Sequence, residues 1–570
     1  MNISIITPHR SFIRAAMAGA AAGALTVSVS AHAQETATPV HATVQAPADV
    51  GLSTQTLKDV TRTLASDEFE GRAPGTVGEE KSIAYIAQRF AAAGLEPGAD
   101  GSWYQDVPMV ELTPDPSMTL EIAGGDAPLT LEYKRDMAVY THRPVAHIDI
   151  ADSDVVFVGY GINAPELGWN DYEGLDVRGK TVLVMVNDPD WDEETLSGPF
   201  GGKALTYYGR WPYKFEEAAR QGAAAAFVIH DDQRAAYGWN VVVSSNTGTQ
   251  LIVDDASESA PEANAIGWIS HDAARRVLAA NGQDLDALET AAGKKGFRSV
   301  PLGLRLTTRI DNTMRRIKSH NVVGVLPGAK RPGEYVMLTA HWDHLGHCEP
   351  VDGDDICNGA FDNASGTAGL VALAEAYGKA GPADRTAVFI ATTGEESWLA
   401  GSEYYARHPI YPLSRTAGGV NLDGLSIYGA ARDVTITGVG RHEMEADVAR
   451  LARQQGQSVE AESMPENGNY FRSDHFSFAK RGVPMAYFAN GQDLVEGGKA
   501  RGEAAARDYI ARHYHAPSDA YDPDWDWSGA IQELTLTYRL TRELADSSAW
   551  PNWTPTSEFR AIRDASADER

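Results

Sequence analysis

Seven residues of this chain have types and settings suited to holding metal and moving protons: His341, Asp343, Asp362, Glu395, Glu396, Asp423 and His515. They sit in AHWDHLG, GAFDNASG, TTGEES, VNLDG and YHAPSD, short segments flanked by small residues and glycine. Imidazole nitrogen and carboxylate oxygen both suit zinc, and a catalytic zinc keeps one position open for water. Two histidines and a string of carboxylates therefore fit a two-zinc hydrolytic site. In His341-Trp342-Asp343, residues two apart point the same way if the strand continues, so Asp343 could hold the second ring nitrogen of His341; the competing reading is a turn aspartate. Asp362 just precedes a helix, where a carboxylate can bridge two metals or cap the helix. Glu395 and Glu396 diverge if the segment is extended, giving one to metal and the other to proton transfer. His515 is preferred to His513, because Ala516-Pro517 ends any helix there and Asp519 could support the ring. His344 is read as a packed or supporting group.

The elements that must position these residues can be read from the pattern. YVMLTA runs into His341, TAVFIATTG into Glu395-Glu396 and GGVNL into Asp423. Open α/β sheets bind ligands beyond the carboxyl ends of their strands. Three strands that each deliver a candidate ligand at that end agree better than any one residue does. NVVGVLP, DVTITGV and PMAYFAN are further strands; Ala364 to Ala380, MEADVARLARQQG and the stretch GAIQELTLTYRLTRELADS are helices. This alternation predicts an α/β fold with a mixed, largely parallel sheet and helices on both faces. Upstream, Leu57, Val60 and Leu64, then Ile83, Ile86 and Phe90, recur at helical spacing, with the broken loop DEFEGRAPGT between them. DVVFVGYGI, TVLVMV, the helix in YKFEEAARQG and the strand after Gly222 read as a strand-helix-strand insert; 232–300 is not assigned.

These segments carry a resemblance. His341-Trp342-Asp343, Asp362-Asn363, Glu395-Glu396, Asn421-Leu422-Asp423 and Tyr514-His515 resemble the five-part signature of the co-catalytic zinc aminopeptidases, whose zinc-peptidase/phosphorylase-hydrolase-like fold is the one expected here. The likeness covers roughly 57–130 and 318–545. Between them, GYGI, WNDYEGLDVRGK and KFEEAARQGAAAAFVIHD resemble a protease-associated domain. The resemblance implies two zinc ions: His341 and Asp423 on one, Glu396 and His515 on the other, Asp362 bridging. It implies Glu395 as general base acting on a water shared by the zincs, Asp343 orienting His341, and a non-proline cis bond at Asp362-Asn363. In ENGNYFRSDH, the family's Ser-Asp-His falls on Ser473-Asp474-His475; His475, ahead of Tyr470, is the expected donor to the oxyanion. Arg472 could meet a substrate carboxylate. Peptides are the expected substrates, cleaved at the N-terminal residue. A carboxypeptidase, a glutaminyl cyclase and a receptor-like binding protein are the alternatives; retention of both His341 and Asp423 argues against the cyclase.

Composition narrows the rest. The chain has 570 residues, 43% hydrophobic and 22% charged, and a formal net charge of −29. That length implies two or three domains, and that charge argues against nucleic acid. Arg10 and Arg14, the apolar run Ala15 to Val29 and Ala31-His32-Ala33 form a signal-peptide pattern with cleavage after Ala33, so a secreted or periplasmic protein is expected, with no membrane span in the mature chain. Residues 1–33 are then the signal peptide and 34–50 a disordered linker. The peptidase domain takes 51–140 and 301–548 around an inserted domain at 141–300, and 549–570 form a polar tail on which Trp550 and Trp553 could dock. Cys348 and Cys357 are the only cysteines. In an oxidising compartment they favour a disulfide, which would stiffen the loop after AHWDHLG. No residue pattern sets an oligomeric state.

Overall fold

One strand of 27 residues, Val300–Leu326, runs through both halves of the main sheet. Leu302, Leu304, Leu306, Thr308 and Ile310 are buried in strict alternation with exposed neighbours, the two-residue period of a strand with one face on a core. In this computed structural model, residues 51–235, 237–255 and 261–570 are described. The expected signal peptide and the linker at 34–50 lie outside them. Among the described residues no helix is long and apolar enough to cross a membrane.

The second half of the long strand pairs antiparallel with Tyr104–Pro114 on one side and Arg385–Thr392 on the other. Beyond Arg385–Thr392 the order is Arg331–His341, Thr416–Leu422, Met485–Ala486, all parallel. Both faces of these strands are apolar, as the near-continuous hydrophobic runs predict. Val336, Leu338, Ala340, Phe389 and Val420 pack with the helices Gly366–Ala380 and Ser528–Asp546, and with the first two helices, Thr54–Leu64 and Val77–Ala92. Met337, Val388 and Ile390 face the other way, onto Tyr405 of Ala400–Arg407 and Phe478 of His475–Ala479. The largely parallel sheet with helices on both faces is thus present.

The first half of the long strand pairs with His147–Phe157. From there the sheet continues through Thr181–Met185, Ala225–Ile229 and Ala265–Ile269 in parallel, and ends antiparallel on Met137–Tyr140. The stretch 232–300, unassigned from sequence, holds the strand Gln250–Val253 and the helices His271–Ala279 and Leu285–Ala292. Gln250–Val253 pairs with Tyr104–Pro114, so the chain returns to the other half of the sheet before it completes this one.

Cys348 and Cys357 form the disulfide, closing the hairpin of Gly346–Val351 and Asp354–Cys357 directly after the AHWDHLG segment. The C-terminal tail is more than a polar extension. Trp553 is fully buried, donates Nε1–H to Gly482 O at 2.9 Å, and packs on Phe559 and His442. Arg563, 1% exposed, donates to the carbonyls of Thr416 and Ala417, the first residues of the strand that leads into Asp423. Trp553→Ala leaves a large cavity, so the urea midpoint should fall by the equivalent of about 3–5 kcal/mol with the m-value kept; an unshifted midpoint would show the tail is not part of the core.

Candidate metal centre

Strand register brings the site together before any side chain is considered. His341 pairs with Thr392 and Ala340 with Leu422, so the segments after these residues leave the sheet at one level. Beyond them, His341 Nε2 lies 3.3 Å from Asp362 Oδ1 and 3.3 Å from Asp423 Oδ1. His515 Nε2 lies 3.5 Å from Asp362 Oδ2 and 3.1 Å from Glu396 Oε2. Ligands held ~2.0–2.1 Å from a tetrahedral zinc stand about 3.3–3.4 Å from one another. The two sets therefore have the spacing of two such ions, and Asp362 turns one oxygen to each. His341, Asp362 and Asp423 form one cluster able to hold a metal, and His344, Asp362 and Glu396 a second. His515 Nε2 and His344 Nε2 are buried with no hydrogen-bond partner, as unmet donor atoms of a metal site are.

His344, set aside on sequence, thus belongs to this centre: its Nδ1 is 2.7 Å from Glu396 Oε1, and its ring stands edge-on to His515 at 5.6 Å. Gly359 makes room for it, since a Cβ there would meet the His344 ring at 2.4 Å, and its φ of +51° suits glycine. His513 stays outside, with Nδ1 on Ser518 O at 3.0 Å.

Each acid is held by the fold. Asp343, fully buried, accepts the Glu395 N–H at 3.2 Å, and its Oδ1 is 3.7 Å from His341 Nδ1. Asp519, expected beside the His515 ring, instead accepts the backbone N–H of Phe361 at 2.9 Å and of Asp362 at 3.1 Å. It positions Asp362 because those amides point at it across the turn, and Tyr509 O–H donates to it as well. The peptide Asp362-Asn363 is cis. The Asn363 side chain clamps the next segment, donating to Leu422 O at 3.0 Å and accepting from Gly424 N at 2.9 Å, on either side of Asp423. Arg72, from the DEFEGRAPGT loop, is fully buried and donates to Trp342 O, Asn358 O, Gly359 O and Leu64 O at 2.6–2.9 Å. Burial lowers its pKa to about 10, against the pull of Asp343, Asp519, Asp362 and Glu396. It stays cationic at neutral pH, behind a group of anions.

The Ser473-Asp474-His475 segment behaves differently from expectation. Ser473 Oγ accepts from Asn421 at 2.7 Å and Asp474 Oδ2 from Thr392 Oγ1 at 2.5 Å, tying two ligand-bearing strand ends together. His475 is fully buried, with Nε2 on Tyr470 O at 2.6 Å, and burial lowers its pKa to about 3. The Tyr470 hydroxyl is spent on Met485 O at 3.1 Å. His475 instead stacks on Tyr487 at 4.3 Å. Burial, then the charges of Asp423, Glu395 and Asp362, push the Tyr487 phenol well above its ordinary value. PMAYFAN reads as a strand, and no local signal marks its tyrosine as functional.

The electrostatics couple metal to protons. Burial opposes a charged His341, but Glu395, then Asp343, Asp362 and Asp423, raise its pKa well above the ordinary value. His515 is likewise lowered by burial and raised more by Asp362 and Glu396, to about 10. Burial and Asp362 work to raise Glu396, yet His344 and His515 bring it to about 2; Asp362 is held low, against burial, by His341 and His515. Burial raises Glu395 well above the carboxylate range. Between the usual histidine value and about 10, the metal-free protein therefore carries an extra proton on His515, and the carboxylates around His341 favour one there too; a cation must displace them. Zinc affinity should rise with pH across this window, by up to ~10-fold per unit for each proton displaced. Calorimetry in buffers of differing ionisation enthalpy should show protons released on loading at pH 7.5; no release would contradict this.

Residues 321–539 match peptidase family M28. A vacuolar membrane protease from Schizophyllum commune (strain H4-8 / FGSC 9210) is 33% identical over 106 residues, 19% of this chain and 10% of that protein. The matched part thus spans about a tenth of that curated relative's length. Among solved structures, an aminopeptidase from Aneurinibacillus sp. strain AM-1 is 21% identical, covering 86% of this chain and 94% of that one, with a TM-score of 0.45. A zinc aminopeptidase from Bacillus subtilis is 17% identical over 88% and 98%, with a TM-score of 0.40. At these scores the superpositions are partial.

Proposed function

With residues 321–539 matching peptidase family M28, we propose that the chain is a secreted or periplasmic zinc-dependent aminopeptidase. The observation that carries this reading is Asp362, whose two oxygens face two separate imidazoles at 3.3 and 3.5 Å. His341, Asp362 and Asp423 would hold one zinc, and His515, Asp362 and Glu396 the other, with His344 orienting Glu396. Zinc held there supplies Lewis acidity, which lowers the pKa of water and polarises a carbonyl. Region 141–300 is proposed as a protease-associated domain.

This chain's own groups do the rest. Glu395 belongs to neither ligand set. It takes the proton of the attacking water and delivers it to the leaving amine, a role that suits a carboxylate whose pKa burial has raised. Asp343 positions it through its backbone N–H and steadies His341 from behind. Tyr487 donates its phenol to the oxyanion as the carbonyl carbon becomes tetrahedral. His475, stacked on that ring, is a positioning residue and not the donor. The excess of carboxylates favours a substrate whose free α-ammonium lies near them.

Glu395→Gln should keep its zinc and lose ~10²–10⁴-fold or more in kcat on an unblocked peptide, measured with metal analysis on the same sample. Wild-type turnover by that variant, or hydrolysis confined to N-blocked peptides, would overturn the assignment. Tyr487→Phe should lower kcat by ~10²–10³-fold with KM nearly kept, because the lost hydrogen bond belongs to the transition state; an unchanged kcat would remove Tyr487 from the reaction.

A further inference from the structure

The turn that follows the glutamate pair holds two residues in a conformation their side chains disfavour. Trp398 has a φ of +66° and Leu399 one of +58°, consecutive positions in the left-handed region. There the Cβ of an L residue crowds the following carbonyl, and for a bulky side chain such a φ is a genuine outlier. Glycine would take either position without that cost. The turn is closed by its own backbone. Ser397 N and Ala400 N donate to Gly394 O at 3.2 and 2.8 Å, and Leu399 N donates to Glu395 O at 3.1 Å. Its conformation therefore sets the directions in which Glu395 and Glu396 leave the chain. Glu396 is the acid 3.1 Å from His515 and 2.7 Å from His344.

Strain of this kind persists only where the surroundings over-determine it. Here they act on one ring. The Trp398 indole stands edge-on to His142 at 4.5 Å and to Trp211 at 5.0 Å, and is tilted on Tyr140 at 5.7 Å. Its Nε1–H donates to Gln250 Oε1 at 3.3 Å. None of these four partners lies on a strand that leads into the metal centre. Tyr140 ends the edge strand Met137–Tyr140, Trp211 opens the helix Trp211–Arg220, and Gln250 opens Gln250–Val253. Burial, then Arg407, lowers the His142 pKa to about 4, so this ring is uncharged at neutral pH. Aromatic pairs at such distances and angles attract beyond the area they bury. Three of them on one indole oppose the return of Trp398 to an ordinary φ.

We propose that Trp398 is a positioning residue, gripped by Tyr140, His142 and Trp211 so that the strained turn keeps Glu395 and Glu396 aimed at the metal centre. The half of the sheet that ends on Met137–Tyr140 then reaches the chemistry through one side chain. The proposal rests on the peptidase reading above, in which Glu396 holds zinc and Glu395 moves the proton.

The test compares Trp398→Ala with Trp398→Gly in the zinc-loaded full chain. Both lose the ring, but only alanine keeps the penalty at positive φ, so the turn should relax in the first and hold in the second. Trp398→Ala should lower kcat on an unblocked peptide by ~10–100-fold with KM nearly kept, as a small misplacement of catalytic groups does. Its zinc affinity, from competition with a chelating dye, should fall by ~10–100-fold. Trp398→Gly should recover most of both losses. A purely packing role predicts no recovery, since glycine fills the cage no better and adds chain freedom. Equal or greater loss in Trp398→Gly, or wild-type values in Trp398→Ala, would overturn the proposal. Trp211→Leu loosens the cage from its other side and decides the matter if Trp398→Ala does not fold. It should lower kcat and zinc affinity in the wild-type background and have little effect in the Trp398→Gly background; the same loss in both backgrounds contradicts the proposal. If the wild type hydrolyses no peptide, the peptidase reading fails, and the zinc affinities of these variants alone decide for or against the positioning role.

Discussion

The interaction on which this structure turns is a carboxylate, Asp362, shared between two imidazoles inside a crowd of other acids. Asp343, Glu395, Glu396, Asp423, Asp474 and Asp519 all act on the same small volume, several of them fully buried. Like charges so close, away from water, repel strongly. They can be held there only if the backbone is rigid and cations are at hand. The imidazoles and Arg72 are such cations, and the sheet supplies the rigidity.

The surrounding fold can be understood as a set of clamps on strand ends. Parallel register aligns His341, Thr392 and Leu422, but the segments beyond them are loops with few backbone partners of their own. Their positions come from side chains that reach across. Asn363 spans the Asp423 segment, Asn421 and Thr392 are tied to Ser473 and Asp474, and Arg72 gathers carbonyls from the turns on either side of the AHWDHLG and GAFDNASG segments. Arg563 does the same at the opposite end of the strand leading to Asp423. The stretch that matches peptidase family M28 is thus stabilised partly by residues outside its own span, before 321 and after 539.

Much of this was legible in the chain because it is local. Apolar runs that end on His, Glu or Asp place ligands at the carboxyl ends of strands, and the helical period of Leu57 to Phe90 shows as helices. What was not legible depends on partners distant in sequence. Whether Asp519 supports an imidazole or two backbone amides depends on a turn about 160 residues earlier. Arg72 sits in a glycine-broken loop that looks solvent-facing until its four carbonyl partners are assembled. Tyr487 looks like any strand tyrosine and His475 like a functional histidine; their stacking on one another, at 4.3 Å, is visible only in the fold. His344 reads from sequence as a packed or supporting group, and only the folded chain shows that Glu396, 2.7 Å away, is the acid it supports.

The strand Val300–Leu326 has a mechanical consequence. Because one unbroken backbone is hydrogen-bonded to His147–Phe157 at its start and to Arg385–Thr392 at its end, the halves are joined as by a beam rather than a hinge. Opening one half away from the other would require shearing ladder hydrogen bonds on both sides of that beam, reinforced by Gln250–Val253 crossing back onto Tyr104–Pro114. Moving one half against the other must therefore bend this strand or break its ladder.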